Sequence, residues 1–134
     1  MPAYDANLFT PPAPVAKVIL KNSDNGTILS DVPMLLDSGA DVTLVPQKAI
    51  NPLGITAVPN VGYELMGFNG TRSIVKAVHL DLVFFKRTFR GKFLLINQEY
   101  GIIGRDILNS ISLLLDGPHL IWREEKLSKD KYDS

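Results

Sequence analysis

Cysteine is absent from all 134 residues. Disulfides, thiol nucleophiles and thiolate metal sites are thereby excluded, and no covalent mark of an oxidising compartment remains. Only two histidines are present. His79 and His119 lie far apart, with no Asp or Glu at ligand spacing, so neither a metal nor a cofactor is expected. An excess of charge is lacking too, since 14 Lys+Arg balance 14 Asp+Glu. Nucleic-acid binders usually carry a basic surplus, so no such partner is expected. No apolar run approaches the roughly 18 residues that span a bilayer, so no membrane partner is expected either. Met1 to Pro14 has neither the basic start nor the apolar stretch of a signal peptide. The chain is therefore expected to be soluble and, by default, cytoplasmic. No internal repeat is visible, and Asp-Ser/Thr-Gly occurs once, at Asp37-Ser38-Gly39.

What is present is an ordinary folded composition, 46% hydrophobic and 21% charged, at a length suited to one domain. Residues 1–14 form a Pro-rich arm, 15–123 the folded domain and 124–134 a charged tail. Lys17 to Lys21 reads as a first strand, followed by a turn at Asn22 to Gly26. Thr27 to Leu29 and Met34 to Leu36 read as strands either side of Asp31-Val32-Pro33. Val42 to Val45 is β-branched and short, another strand. Pro46 to Leu53 suits one or two helical turns closed before Gly54. Tyr63 to Met66 and Ser73 to Phe85 suggest a long hairpin with Gly67-Phe68-Asn69-Gly70 at its tip. A phase slip near Val78-His79 suggests a bulge. Phe93 to Ile96 is a buried run, Arg105 to Asn109 a short helix, and Ser112 to Trp122 a last hairpin about Asp116-Gly117-Pro118. Many short strands with close turn signals predict an all-β closed barrel or sandwich with one or two short helices.

Three segments carry chemistry. In Leu35-Leu36-Asp37-Ser38-Gly39-Ala40-Asp41 an apolar strand delivers a carboxylate into a glycine turn. A plain strand-to-loop turn would use the same residues, so the tripeptide alone decides little. In Gly101-Ile102-Ile103-Gly104-Arg105-Asp106-Ile107-Leu108 the glycines allow a strand to pass close to another backbone, and Arg-Asp then opens a helix. A surface ion pair at a strand–helix junction is the bland alternative. Gly67 to Gly70 is either a mobile flap over a ligand or an ordinary hairpin turn. Ser38 has no base partner that would make it a nucleophile.

Taken in this order and spacing, the three segments resemble the retroviral-type aspartic proteases and their single-lobed cellular and bacterial relatives. The resemblance covers roughly Val15 to Trp122. It implies a closed, barrel-like acid-protease lobe with a flap hairpin, acting as a homodimer on a peptide or protein substrate. It implies that Asp37 is the catalytic aspartate, supported by Ser38, Gly39 and Ala40. Ser38 matches the hydroxyl that crosses the dimer axis, and Gly39 the carbonyl that accepts from substrate. Asp41 matches an acidic residue that binds the substrate main chain and pairs with the helix arginine, here Arg105. The flap tip maps to Met66, Gly67, Phe68, Asn69, Gly70 and Thr71. Leu36, Val42, Met66, Phe68, Ile74 and Ile102 suggest apolar subsites.

Peptide hydrolysis by this chemistry places two carboxylates on one water, one as general base and one as general acid. Such a pair shares a proton because both members cannot easily ionise together. One Asp37 per chain therefore requires two chains, and twofold symmetry is the commonest way to supply the second. Ala40 stands where two-lobed relatives often carry a hydroxyl, so activity is expected to extend toward mildly acidic pH. The alternative from a different class is a non-catalytic peptide-binding or dimerisation module that keeps the same fold.

Overall fold

Lys17 to Lys21 belongs to a longer strand that begins at Ala13. The computed structural model describes residues 2–56, 63–66 and 72–126, with backbone alone at 63–66 and 72–74. In chain order the strands are β1 (Tyr4–Asp5), β2 (Ala13–Lys21), β3 (Ile28–Leu36) and β4 (Leu44–Pro46). A 3-10 turn at Gln47–Ala49 leads into helix α1 (Ile50–Leu53). Strands β5 (Tyr63–Met66), β6 (Arg72–Val75), β7 (Ala77–Phe84), β8 (Arg87–Ile96) and β9 (Gly101–Ile103) follow. Helix α2 (Arg105–Leu108), β10 (Leu113–Asp116), a 3-10 turn at Gly117–His119 and β11 (Ile121–Glu124) complete the described chain.

Six strands close on themselves in the order β2, β3, β9, β4, β8, β7, because β7 pairs back to β2 through Ile19↔Val83, Leu20↔Leu82 and Lys21↔Asp81. The fold is mostly β, a closed barrel with few short helices. Most neighbours are antiparallel, but β3–β9 and β4–β8 run parallel. The inward positions fill the barrel: Val18, Leu20, Met34, Val45, Leu80, Leu82 and Ile103 are almost fully buried. Closure removes most of the exposed edge that an open sheet would present, β2 being covered on this side by β1 at Ala13–Pro14 and by β7 at Ile19–Lys21.

Three local expectations change. Residues 28–36 are one strand rather than two, with a register shift opposite Val18–Leu20 and Asp31 at φ 57°. Pro33 fits inside it because β9 pairs with β3 only from Met34 onward, so no partner needs the missing N–H. Residues 77–84 carry no bulge, since the register with β8 runs unbroken from Ala77↔Leu94 to Phe84↔Arg87. The phase slip is the break at Lys76, where β6 ends and β7 begins. The strand after the Asp37 loop starts at Leu44, and Val42 lies in a bend with Asp41.

The N-terminal segment is tied to the body. Tyr4↔Pro14 and Asp5↔Ala13 pair β1 with β2. Tyr4 N–H donates to the Leu120 carbonyl at 2.9 Å, and Trp122 N–H to that of Pro2 at 3.2 Å. The β10–β11 hairpin turns as expected, with Asp116 accepting from His119 N–H at 3.3 Å. On the β7–β8 hairpin the buried carboxylate of Asp81 accepts from Arg90 Nε at 3.0 Å and Nη2 at 3.2 Å. That bond and the charge of Asp81 raise the Arg90 pKa above its ordinary value. Arg90, itself largely exposed, thus partners a buried charge.

Candidate active site

The Asp37 loop is held by β9 and by the start of α2. Parallel pairing of Leu36 with Ile103 brings the end of β3 beside β9, and Asp37 N–H donates to the Ile103 carbonyl at 3.0 Å. The loop then folds on itself. Gly39 N–H donates to Asp37 Oδ1 at 2.9 Å, and Ala40 N–H to the Asp37 carbonyl at 3.1 Å. At position 39 a Cβ would stand 3.1 Å from Asp37 Oδ1, so glycine leaves room for the carboxylate.

From α2 the arginine reaches back over this loop. Arg105 N–H donates to the Ala40 carbonyl at 2.9 Å, and its Nη1 to the Ser38 carbonyl at 2.7 Å. Its Nη2 donates to Asp41 Oδ1 in an ion pair. Both groups are substantially exposed, so the pair positions the loop more than it stabilises the fold. One guanidinium thus bridges Ser38 and Asp41 with two of its forked donors.

A second brace was not foreseen from the sequence. Thr43 is buried, and its Oγ1 donates to Asp106 Oδ1 at 2.6 Å. Thr43 N–H donates to Asp106 Oδ2 at 3.0 Å, and Gly104 N–H donates to Thr43 Oγ1 at 3.1 Å. The only sequence signal was a hydroxyl inside the apolar run Val42 to Val45. Thr43→Val should cost about 1–3 kcal/mol, because Asp106 loses a donor and the buried Gly104 N–H its acceptor. Thr43→Ser should recover most of that loss in urea denaturation.

The carboxylates around the loop have distinct fates. Asp41 is committed to Arg105 and Asp106 to Thr43. Asp37 accepts one bond from its own loop, at Gly39, and has no ion-pair partner among the described residues. Ser38, Gly39 and Asp41 are exposed, Asp37 and Ala40 half-buried. Of the expected subsite residues, Leu36 and Ile102 are half-buried and Val42 is exposed. Met66 ends β5 and pairs with Arg72, and Ile74 lies in β6 opposite Glu64. Gly67, Phe68, Asn69, Gly70 and Thr71 lie outside the described residues. Among the described residues no group of three or more His, Asp or Glu could hold a metal ion. Away from the loop, a hydrogen bond from the Lys48 ammonium and its charge hold the Glu99 carboxyl below its ordinary pKa.

A carboxylate-bearing glycine loop, clamped by a Gly-Arg-Asp helix start, lies within the span matched by one family model. That model, retroviral aspartyl protease, covers residues 10–116. The chain belongs to the retroviral aspartyl protease family. Among solved structures it is similar to "EIAV protease complexed with the inhibitor HBY-793", with 21% identity and a TM-score of 0.55. The alignment covers 73% of this chain and 86% of that one. This likeness shows a shared fold. A search of curated protein sequences finds no match. Family membership accounts for the mostly β architecture, in which the aspartate loop, the hairpin β5–β6 and the arginine helix follow one another along the chain.

Proposed function

We propose that the protein is a dimeric aspartic endopeptidase in which two Asp37 side chains face each other across a twofold axis. The observation that carries this is the single uncommitted carboxylate on a loop braced from both sides. In the dimer, one Asp37 is ionised and its twin protonated. The ionised member takes a proton from water as the oxygen attacks the scissile carbonyl carbon, and the protonated member donates to the carbonyl oxygen. The resulting gem-diol collapses as the newly protonated carboxyl gives its proton to the departing amide nitrogen, its ionised twin takes one from a gem-diol hydroxyl, and the C–N bond breaks.

In this reading Ser38 bonds the partner loop, while Gly39 and Asp41 receive the substrate main chain. Leu36, Val42 and Ile102 take apolar substrate side chains, and Met66 to Gly70 form the flap over an extended peptide. Sedimentation with a peptide-mimetic aspartic protease inhibitor tests the dimer: the inhibitor should drive the chain to a species of twice its mass. A chain that stays monomeric at high concentration with inhibitor present would refute the proposal. Ala40 predicts a second behaviour. Ala40→Ser adds a hydroxyl beside the carboxylates, and hydrogen bonding to the ionised form should move the pH optimum to more acidic values. An unchanged pH–rate profile would count against that contact.

A further inference from the structure

A cavity of about 790 Å³ lies under the N-terminal segment, within the roughly 300–1,000 Å³ range of ligand pockets. Its floor is the outer face of β2, Val15, Lys17 and Ile19. Tyr4 lines it from the N-terminal segment, and Phe85 and Trp122 form an aromatic wall. These two rings meet edge-on, with centroids 5.5 Å apart.

Backbone polarity points into the same gap. Pro33 stands opposite Lys17 and has no N–H, so the polar groups of Lys17 face away from β3. Val15 shows the same parity, because its carbonyl accepts from Trp122 Nε1 at 3.2 Å. On that edge β1 covers Ala13 and Pro14, and β7 covers Ile19 to Lys21. Lys17 falls between them with no strand opposite, leaving one N–H and one carbonyl for an incoming extended residue.

Charge at the gap is basic. Lys17 and Lys86 have no ion-pair partner among the described residues. The one acidic group on the lining, Asp5, is engaged by the N–H groups of Asn7 and Leu8, both at 2.8 Å. The turn that presents Lys86 is itself unusual. Phe85 and Lys86 form a two-residue hairpin turn with φ of 52° and 62°, where Asn-Gly would be favoured. Two residues poorly suited to the turn are both lining residues of the cavity.

We propose that this groove binds the C-terminal end of an apolar peptide. One residue would pair with the free backbone of Lys17, an aliphatic side chain would lie against Phe85, which the buried Trp122 backs, and the terminal carboxylate would meet Lys17 and Lys86. The site is independent of the proposed hydrolysis. The test uses the full chain carrying Asp37→Asn, so that the probe is not consumed. Trp122 is the protein's only tryptophan, and it is buried against Phe85, so its emission reports on the wall of the groove. Acetyl-Ala-Val-Leu with a free carboxylate should produce a saturable emission change, and its C-terminal amide should bind at least about tenfold more weakly. Lys86→Gly should weaken binding similarly while holding or raising the thermal midpoint, since glycine accepts the positive φ. Equal binding of acid and amide, or no saturable change, would overturn the proposal. So would a Trp122 spectrum that shifts with protein concentration alone, which would mean that a second copy covers the groove.

Discussion

Asp37→Asn should abolish peptide hydrolysis, by at least about 10⁴-fold, while leaving the thermal midpoint unchanged. Both expectations come from the same geometry. Asn keeps an Oδ1 that can accept from Gly39 N–H, so the loop retains the bond found at 2.9 Å. What disappears is the ability to hold or release a proton, and general acid–base assistance contributes roughly 10²–10⁴ for each group. A homodimer loses both groups at once. The decisive measurement is a mixing experiment. Random reassortment of equal amounts of wild-type and variant chains leaves about a quarter of the dimers wholly wild type. Activity at a fixed amount of wild-type chain should then fall to about half. A monomeric enzyme, or a dimer with two independent sites, would show no fall, and either result would remove the paired-carboxylate mechanism.

The parts of the site that could be read from sequence are those that are local. Asp37 to Asp41 and Gly104 to Asp106 are short contiguous segments, and their residue types restrict the backbone strongly. Thr43 was missed because its role is non-local: its hydroxyl serves Asp106 and Gly104, some sixty residues along the chain. Pro33 and Asp31 looked like an interruption, yet a strand can hold a proline on an edge that no partner uses. The turn at Phe85-Lys86 carried no glycine, asparagine or proline. Its position is set by the register of β7 and β8 and by the packing of Phe85 on Phe84 and Trp122. Barrel closure through Ile19↔Val83 had no local signature at all, because it depends on two strands meeting after the whole sheet has twisted around.

Gly104→Ala should be as damaging as the loss of Asp37, by a different route. A Cβ at position 104 would lie 2.5 Å from the Val42 carbonyl oxygen, 2.6 Å from its carbon and 3.0 Å from the Ala40 oxygen. All three are backbone atoms, so no side-chain rotation relieves the overlap. The start of α2 would have to withdraw from the loop. That movement would break Arg105 N–H to Ala40 and Gly104 N–H to Thr43 together. Loss of more than about 4 kcal/mol is expected, a large part of the roughly 5–15 kcal/mol that holds a typical domain folded. Gly117→Ala is the matched control, because a Cβ there meets nothing within 4 Å. It should change stability by no more than about 0.5 kcal/mol. The two damaging variants then separate structure from chemistry: Asp37→Asn should remain folded and inactive, whereas Gly104→Ala should lose midpoint and activity together. A Gly104→Ala chain that keeps both would mean that the loop does not depend on this close approach. The braces from Arg105 and Thr43 would then be accessories to the carboxylate's position rather than its cause.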